Sequence, residues 1–427
     1  MLAPTNPVTG PSGFMTTPAT IMLVPEAPGV VYYRFGAGPG PWTRCTGPVA
    51  VPEGKQVLSA VLVSPSGMPG DVVTTTIRSD FTVASVVGVG AGSAAVATFA
   101  GAPSASGAVT VRAQVRAQVG ASVRRLGGRD RYDVSSLLAD TSFASASTVI
   151  IASGETFPDA LAAAGLAGAL KAPLLLVQRN KVPPQIASRI RALGAKKAII
   201  CGGPVPVSSV VVSQLKGQGL SVERVDGKNR YETAAKIARR IATVTGGGGR
   251  VYIARGDDFP DALSLSPLAY SQRAPILLTG STSLNADART ELTRGGYRSA
   301  RIAGGQRAVN SSVERSVRGY VKDTVRWGGE NRYAVSVNCA TQAVAQASNT
   351  WAYVGIARGS TFADALGGGV AAGSRRGVVL LTQTEVLTAN TANTLIAHAG
   401  EVRECEVYGG EVAVSASTYE QIRSIFR

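Results

Sequence analysis

Residues 149–161 read Val-Ile-Ile-Ala-Ser-Gly-Glu-Thr-Phe-Pro-Asp-Ala-Leu, and this stretch decides the fold. Its β-branched run predicts a buried strand, and its Ser-Gly pair predicts a turn. Pro158 and Asp159 then open an Ala/Leu-rich helix, where a proline and an acid suit the free N–H groups of a first helical turn. Related stretches surround Phe259 and Phe362. A unit of strand, turn and helix therefore occurs three times.

Two further landmarks accompany each copy of this unit. An Arg-Tyr pair closes a Gly-rich turn at Arg131, Arg230 and Arg332. A Gly-Gly pair follows an apolar run at Gly202, Gly304 and Gly409. Because the landmarks return in the same order about every 100 residues, each copy has the size of a domain. The chain is predicted to contain three tandem domains, over 120–222, 223–324 and 325–427.

The segments between the landmarks alternate between strand and helix patterns. In the first repeat the runs 149–152, 173–177 and 197–201 are too continuously apolar to be half-exposed strands. Such alternation is typical of a parallel sheet covered by helices on both faces, so the fold is predicted to be α/β. Ligands of these folds bind outside the carboxyl ends of the strands. The Gly-rich turns lie there, and we call them the crest loops: 127–132, 153–159 and 202–204, with their counterparts in the other two repeats.

The helix that follows each Phe-x-Asp motif is rich in alanine and glycine. Residues 160–168 and 365–373 contain few large side chains. A slim helix buries little area alone and permits a neighbour to approach closely. We predict that these helices pack the three repeats together in a pseudo-threefold arrangement.

Residues 1–119 differ in character from the repeats. β-type runs at 30–33, 57–63 and 72–77 are separated by turns rich in proline and glycine. This pattern predicts a small all-β sandwich domain. Residues 84–119 are rich in small residues and could form further strands or, in part, a linker.

The formal net charge of +16 is carried by the first two repeats. The net charge is +7 over 121–220, +8 over 221–322 and −1 over 323–427. Such a field attracts polyanions, among them acidic polysaccharides, teichoic acids, nucleic acids and anionic membrane surfaces. A basic surface that serves solubility alone is the alternative.

Cysteine usage predicts neither a metal site nor a thiol-redox site. The four cysteines occupy non-equivalent positions without Cys-x-x-Cys spacing. Cys339 and Cys405 fall in the same repeat and could form a disulfide. No run reaches the roughly 18 apolar residues of a membrane span. Residues 1–15 lack the features of a signal peptide, so the chain is either cytoplasmic or has lost its signal.

Residues suited to catalysis are scarce. His398 is the single histidine, and no Walker or dinucleotide-binding glycine motif occurs, so we predict no cofactor. One acid, Asp159, Asp261 or Asp364, recurs at the start of a helix in each repeat. These acids could order the crest loops or bind sugar hydroxyls, but the favoured interpretation is a helix-start charge of about 0.3–1 kcal/mol. A glycosidase also uses a second carboxylate opposite the first.

The repeated arginines have two interpretations, which the sequence favours equally. The guanidinium groups of Arg131, Arg230 and Arg332 suit a phosphate or carboxylate, and the adjoining helix N–H groups favour the same ligand. A structural salt bridge to the repeated aspartate would use the same residues. The copies are not identical, because Arg255 and Arg358 stand where the first repeat has Ser153.

These motifs resemble the cell wall-binding repeat type 2 family of Gram-positive surface proteins. The shared pattern is Arg-x-x-Gly-x-x-Arg-Tyr, then Ala-(Ser/Arg)-Gly-x-x-Phe-(Pro/Ala)-Asp-Ala-Leu, an apolar triplet, and an apolar strand ending in Gly-Gly. It covers residues 124–427 in three copies, with Ala363 replacing proline in the third. The resemblance implies three Rossmann- or Toprim-like modules that attach an exported, S-layer-like protein to the wall without a covalent bond.

The resemblance also implies the site. It associates the crest residues and the apolar triplets with attachment to an anionic wall polymer. The candidate ligand-binding residues are Arg129, Arg131, Arg230, Arg255, Arg332, Arg358, Asp159, Asp261, Asp364, Leu174, Leu175, Leu176, Ile276, Leu277, Leu278, Val379, Leu380 and Leu381. The third repeat lacks net positive charge, so we expect weaker contact with the polymer there.

A second, shorter resemblance concerns the N-terminal region. Residues 31–35, Trp42, 47–48 and 52–54 are similar to the small β-sandwich modules related to the C-terminal domain of chitobiase-type enzymes. This would make the region an accessory module.

The function predicted from these observations is noncovalent anchoring of an extracellular protein, whose signal peptide has been removed, to teichoic acid or an acidic secondary polysaccharide of the cell wall. Peptidoglycan is a further candidate partner. The alternatives are a wall-processing enzyme and a polyanion- or nucleic-acid-binding protein. Nucleic acid is not expected, because the basic segments lack regular aromatic interleaving. The oligomeric state is left open.

Overall fold

The computed structural model describes residues 20–24, 30–36, 41–46, 49–50, 55–63, 73–78, 95–99, 111–115, 121–346 and 348–426. The chain forms two compact units. One comprises Met1–Ala121, Leu395–Arg403 and Ser424–Arg427, and the other comprises Ser122–Thr394 and Glu404–Arg423. Each unit is described by itself.

The described N-terminal strands form two antiparallel sheets. The strands are β1 Thr20–Val24, β2 Val30–Phe35, β3 Thr43–Arg44, β4 Val49–Ala50, β5 Lys55–Val63, β6 Val73–Arg78, β7 Ala95–Phe99 and β8 Val111–Val115. One sheet has the order β4-β1-β8-β7 and the other β3-β2-β5-β6. The predicted all-β character is thus confirmed. The likeness to chitobiase-type modules stays a prediction, and its positions 47–48 and 52–54 lie outside the described residues.

The repeats consist of alternating strands and helices. The strands are β9 Ser122–Leu126, β10 Thr148–Ser153, β11 Leu174–Val177, β12 Lys197–Cys201, β13 Ser221–Val225, β14 Gly249–Arg255, β15 Ile276–Thr279, β16 Tyr297–Ala303, β17 Asp323–Trp327, β18 Tyr353–Arg358, β19 Val378–Thr382 and β20 Glu404–Tyr408. The helices are α1 Arg131–Ser142, α2 Pro158–Leu170, α3 Pro184–Ala192, α4 Ser209–Gly217, α5 Arg230–Thr245, α6 Pro260–Gln272, α7 Ala286–Arg294, α8 Ser311–Tyr320, α9 Arg332–Ala345, α10 Ala363–Ser374, α11 Ala389–His398 and α12 Ala416–Ile425.

The strands form three parallel four-stranded sheets, as the sequence predicts. We call them sheet I, β11-β10-β12-β13, sheet II, β15-β14-β16-β17, and sheet III, β19-β18-β20-β9. The two central strands of each sheet, β10 and β12, β14 and β16, or β18 and β20, are neighbours. The gap between their carboxyl ends is the topological switch point where doubly wound sheets bind ligands. The central strands are buried; Ile150, Ile253 and Ile356 are 0% exposed.

Each sheet is completed by the first strand of another repeat. β13 and β17 come from the beginning of the second and third repeats but pair with β12 and β16. β9, from the beginning of the first repeat, pairs with β20 of the third, with Arg124 opposite Glu406. The three repeats are therefore closed into a ring by strand exchange. The predicted domain boundaries fall within β13 and β17, and they stay predictions.

The small-residue helices pack against one another at the centre of the ring. α2, α6 and α10 contact each other pairwise. A Cβ on Gly165 or Gly168 of α2 would collide with the backbone of Ala274 or Tyr270, and one on Gly369 of α10 would collide with Ser266 of α6. The predicted pseudo-threefold packing is thus confirmed, and glycine permits it because these helices approach closely.

Candidate functional site

The repeated arginine begins the first helix of each repeat. The residue before it, Asp130, Asn229 or Asn331, caps the helix, and its side chain accepts hydrogen bonds from the second and third N–H groups that follow. Side-chain oxygens at this position satisfy backbone donors that otherwise lack a partner. These N–H groups are therefore already occupied, and the helix start alone does not offer an anion site.

Each repeated arginine holds a crest loop of its own repeat. The Nη1 atoms of Arg230 and Arg332 donate to the carbonyl oxygens of Gly256 and Gly359 at 2.7 and 2.6 Å. Arg131 donates in the same way to Gly154. One face of the guanidinium remains available for a contact with another repeat.

That contact is made with the phenylalanine of the preceding repeat in the ring. The guanidinium carbon lies 5.7 Å from the ring centroid in all three pairs, which are Arg131 over Phe362, Arg230 over Phe157, and Arg332 over Phe259. A cation over an aromatic face at this distance is attracted by the ring quadrupole. The equal distances show that one contact is used three times around the axis.

The three phenylalanine rings meet each other on the axis. Their centroids are 5.5 Å apart for Phe157 and Phe362, 5.7 Å for Phe157 and Phe259, and 5.8 Å for Phe259 and Phe362. Tilted and edge-on arrangements at such distances are favourable. The Phe of the Phe-x-Asp motif thus serves the contact between repeats.

The repeated aspartates pack against the Gly-Gly loops. A Cβ on Gly202, Gly304 or Gly409 would collide with the carboxylate of Asp159, Asp261 or Asp364, respectively. The three glycines also have φ between 97° and 122°, which other residues adopt only with strain. Two features therefore require glycine at the first position of each Gly-Gly pair. One is the positive φ of its backbone, and the other is the adjacent carboxylate, which leaves no room for a Cβ.

Burial and charge act against each other on these carboxyl groups. Burial raises the pKa of Asp159 and Asp261 to about 6, while the positive charges of Arg230 and Arg332 lower it. Burial likewise raises the pKa of Asp364, and Arg131 opposes the shift. Each opposing arginine belongs to the next repeat around the ring.

We call Arg129, Arg255 and Arg358 the variable crest arginines, because each lies in a crest loop but is not an arginine in all three repeats. Their surroundings differ. Arg129 is exposed and pairs with Asp133, 2.9 Å from Nε to Oδ2. Arg255 pairs with Asp257, two residues away. Arg358 donates to the hydroxyl of Ser360 and, at 3.1 Å, to the carbonyl of Val412.

The apolar triplets form part of the core. They lie on β11, β15 and β19, and every one of their nine side chains is at most 2% exposed. Their burial leaves almost no side-chain surface for direct contact with a ligand, and their role in attachment stays a prediction.

A second repeated arginine was not singled out from the sequence. Arg125, Arg224 and Arg326 lie on β9, β13 and β17 and donate to the carbonyls of Gly409, Gly202 and Gly304 at 3.2, 2.5 and 2.7 Å. Each therefore fixes the Gly-Gly loop of the preceding repeat. Their signal was present as the first residue of the Arg-x-x-Gly pattern.

The disulfide considered for Cys339 and Cys405 is not formed. Both are free thiols and are fully buried, on α9 and β20 respectively. Burial raises their pKa, which keeps them unreactive. Within the described residues, no group of His, Cys, Asp or Glu is arranged to hold a metal ion, and no helix is long and apolar enough to span a membrane.

The fold and the repeated contacts define a tandem-repeat protein built from doubly wound α/β domains. Its family is shown by the sequence: the family model "Cell wall binding domain 2 (CWB2)" matches residues 125–212, 224–314 and 326–419. The chain belongs to this family, so its three repeats are cell wall-binding domains.

The chain is also similar to two proteins of Bacillus subtilis. The chain is 29% identical over 303 residues to N-acetylmuramoyl-L-alanine amidase LytC of Bacillus subtilis (strain 168), a match covering 71% of this chain and 58% of that protein. It is 28% identical over 266 residues to the amidase enhancer of the same organism, covering 62% and 35%. The chain thus spans little more than half of the first relative and about a third of the second.

Two solved structures share the fold. They are Cwp6 from Clostridium difficile, with a TM-score of 0.66 and 21% identity, and Cwp8 from the same organism, with a TM-score of 0.62 and 20% identity. The matches cover 87% and 88% of this chain, and 57% and 60% of those chains.

Proposed function

We propose that the three repeats anchor this protein at the cell surface by binding an anionic wall polymer, teichoic acid or an acidic secondary polysaccharide, without a covalent bond. The observation that carries the proposal is the match of all three repeats to a family of cell wall-binding domains. The net charge of +16 supports an anionic ligand.

The crest is the surface proposed to meet the polymer. It carries the variable arginines and the loops at the switch points of the three sheets, where ligands of such sheets bind. The repeated arginines hold the repeats together and keep this surface rigid, and the buried triplets support it from below. Because the three crests lie on one ring, simultaneous engagement of one polymer raises avidity by about 10²- to 10⁴-fold.

The surroundings of the repeated aspartates favour anchoring over the enzymatic alternative. Asp159, Asp261 and Asp364 are each packed against a glycine and held near an arginine of the next repeat. A glycosidase needs two carboxylates on opposite sides of the substrate bond. The names of the amidase relatives belong to proteins of which this chain spans only a part.

The test is co-sedimentation with Gram-positive cell walls before and after removal of their anionic polymers, with peptidoglycan left intact. We expect binding to intact walls that weakens with salt and is lost from stripped walls. Equal binding to both preparations would assign the ligand to peptidoglycan. Absence of binding to either would refute the proposed function.

A further inference from the structure

One pair of positions distinguishes the charge of the three crests. The first position holds Ser153, Arg255 or Arg358, and the second, two residues later, holds Glu155, Asp257 or Ser360. Only the third repeat combines a cation at the first position with a neutral residue at the second. The charge available to a ligand therefore differs from the net charge of each repeat.

The crest of sheet I has no cation at this position. The hydroxyl of Ser153 accepts hydrogen bonds from the backbone N–H groups of Glu155 and Thr156, at 3.1 and 3.2 Å. The side chain of Glu155 accepts one from the backbone N–H of Arg179. This crest offers a negative charge where sheet III offers a positive one.

The crest of sheet II has a neutralised cation. Arg255 forms a two-pronged ion pair with Asp257, in which Nη2 lies 3.0 Å from Oδ2 and Nε contacts Oδ1. The hydrogen bond to Asp257 raises the pKa of Arg255, and Asp258 and Asp261 add further negative charge. A ligand anion would have to displace a carboxylate already in place.

The crest of sheet III has a cation with neutral partners. Arg358 donates through Nε to the hydroxyl of Ser360 and through Nη1 to the carbonyl of Val412. Among the described residues, no carboxylate oxygen forms an ion pair with Arg358 within 4 Å. These two bonds fix the guanidinium in position without a directly paired carboxylate. Burial raises the pKa of the nearby Asp364, and the charge of Arg358, after that of Arg131, opposes this shift. The guanidinium is half-buried, which strengthens its attraction for an anion.

We propose that the crest of sheet III, formed by loops 358–361, 409–414 and 127–130, is the principal anion-binding site of the protein, and that Arg358 binds an anionic oxygen of the wall polymer there. Asp257 keeps the equivalent arginine of sheet II from doing so. This inference rests on the proposed function and reverses the expectation, drawn from net charge, that the third repeat binds most weakly.

The test uses the full chain and substitutions that exchange the residues of the two crests. Arg358→Ser removes the cation, and Ser360→Asp keeps it but supplies the carboxylate found in sheet II. Because a charge-assisted hydrogen bond is lost in both, we expect each to weaken co-sedimentation with intact walls by about tenfold. Asp257→Ser should strengthen binding several-fold, since it gives sheet II the Arg-Gly-Ser sequence of sheet III.

Arg294→Ser is the matched control. It removes the same charge from an exposed position in the last turn of α7, at the end of the domain opposite the crest, and it should change binding less than twofold. Unchanged thermal unfolding in each variant establishes that the fold is intact. If the wild-type chain binds intact walls but Arg358→Ser and Ser360→Asp bind equally well, the third-crest site is wrong while the anchoring function stands. If the wild-type chain fails to bind, the anchoring function itself is refuted.

Discussion

Sheets I and III are built from equivalent strands but are closed in different ways. Sheet I is completed by the next strand along the chain, and its third strand carries the buried Ile199 opposite Glu223. Sheet III is completed by β9, and the equivalent residue is Glu406, opposite Arg124 and 0% exposed. At this position sheet I therefore carries an apolar side chain, and sheet III carries a buried carboxylate that faces a strand from the other end of the repeats. Sheet II, closed like sheet I, carries the buried Arg301, which pairs with Asp323.

The buried charge of sheet III is fully partnered. Glu406 accepts from Nε of Arg124 at 2.8 Å, from Nη1 of Arg375 at 3.0 Å, and from the hydroxyl of Tyr353. Arg375 also stacks on Tyr353 and donates to the carbonyl of Thr141 on α1. Buried ion pairs add little net stability but penalise every arrangement that leaves a charge unpaired. The cluster therefore favours pairing with β9 in one register.

The largest effect is expected from breaking this cluster. Glu406→Gln should lower the free energy of unfolding by about 3 kcal/mol, because the remaining polar groups lose their anionic partner while Arg124 and Arg375 keep some contact with water. Denaturant unfolding measures the loss. Ile199→Val at the equivalent position of sheet I should cost only about 1 kcal/mol. Equal losses at the two positions would remove the contrast between the sheets.

The pH dependence of stability should report the protonation of the buried carboxyl groups of Asp159 and Asp261. The pKa of Asp159 and Asp261 is about 6 in the folded protein against a reference of 3.8, so the folded state binds the extra protons. The free energy of unfolding must then fall as pH rises from about 4 to about 6, by at most roughly 3 kcal/mol for each carboxyl. Asp159→Asn should flatten this part of the profile relative to the wild type.

Asp133→Asn supplies a control of opposite sign for that profile. The hydrogen bond from Arg129 lowers the pKa of Asp133. Its contribution to stability is present above the unfolded pKa and is lost as pH falls through the folded pKa. A profile in which Asp159→Asn and Asp133→Asn change the slope in the same direction would contradict this assignment.

The smallest effect on stability is expected at the three axial phenylalanines, whose contacts are alike in all repeats. Phe157→Ala, Phe259→Ala and Phe362→Ala should each cost about 2 kcal/mol, since each ring is half-buried and contacts two other rings and one arginine. Thermal or denaturant unfolding of the three variants measures the losses. Clearly unequal losses would show that the three phenylalanines contribute unequally to stability although their contact distances are nearly equal. The difference between the sheets would then extend to the centre of the ring.

Local patterns predicted the elements of the repeats well. The continuous apolar runs and the Pro-Asp helix start gave β10, α2 and β12 within about one residue, because strand and helix periods are properties of neighbouring residues. The small residues of α2 and α10 also indicated the central packing. These features need no knowledge of which strand lies beside which.

The contacts between distant residues were beyond local patterns. The pairing of β9 with β20, the Glu406 cluster and the role of Asp257 beside Arg255 depend on which residues the ring brings together. The repeated arginine and aspartate were found by their repetition, but the sequence could not show that Arg230 contacts Phe157 and lies near Asp159 of another repeat. Net charge also counts Arg255 in full, whereas the structure pairs it with Asp257.

Strand exchange also sets an order of events in time. Arg124 and Glu406 are 282 residues apart. Along the chain, sheets I and II have all their strands by β17, whereas β9, the first strand of the repeats, has its partner only in β20. Unpaired strand edges invite pairing with other chains, and distant pairings form slowly. We therefore expect a chain that lacks β20 to leave β9 without its neighbour in sheet III.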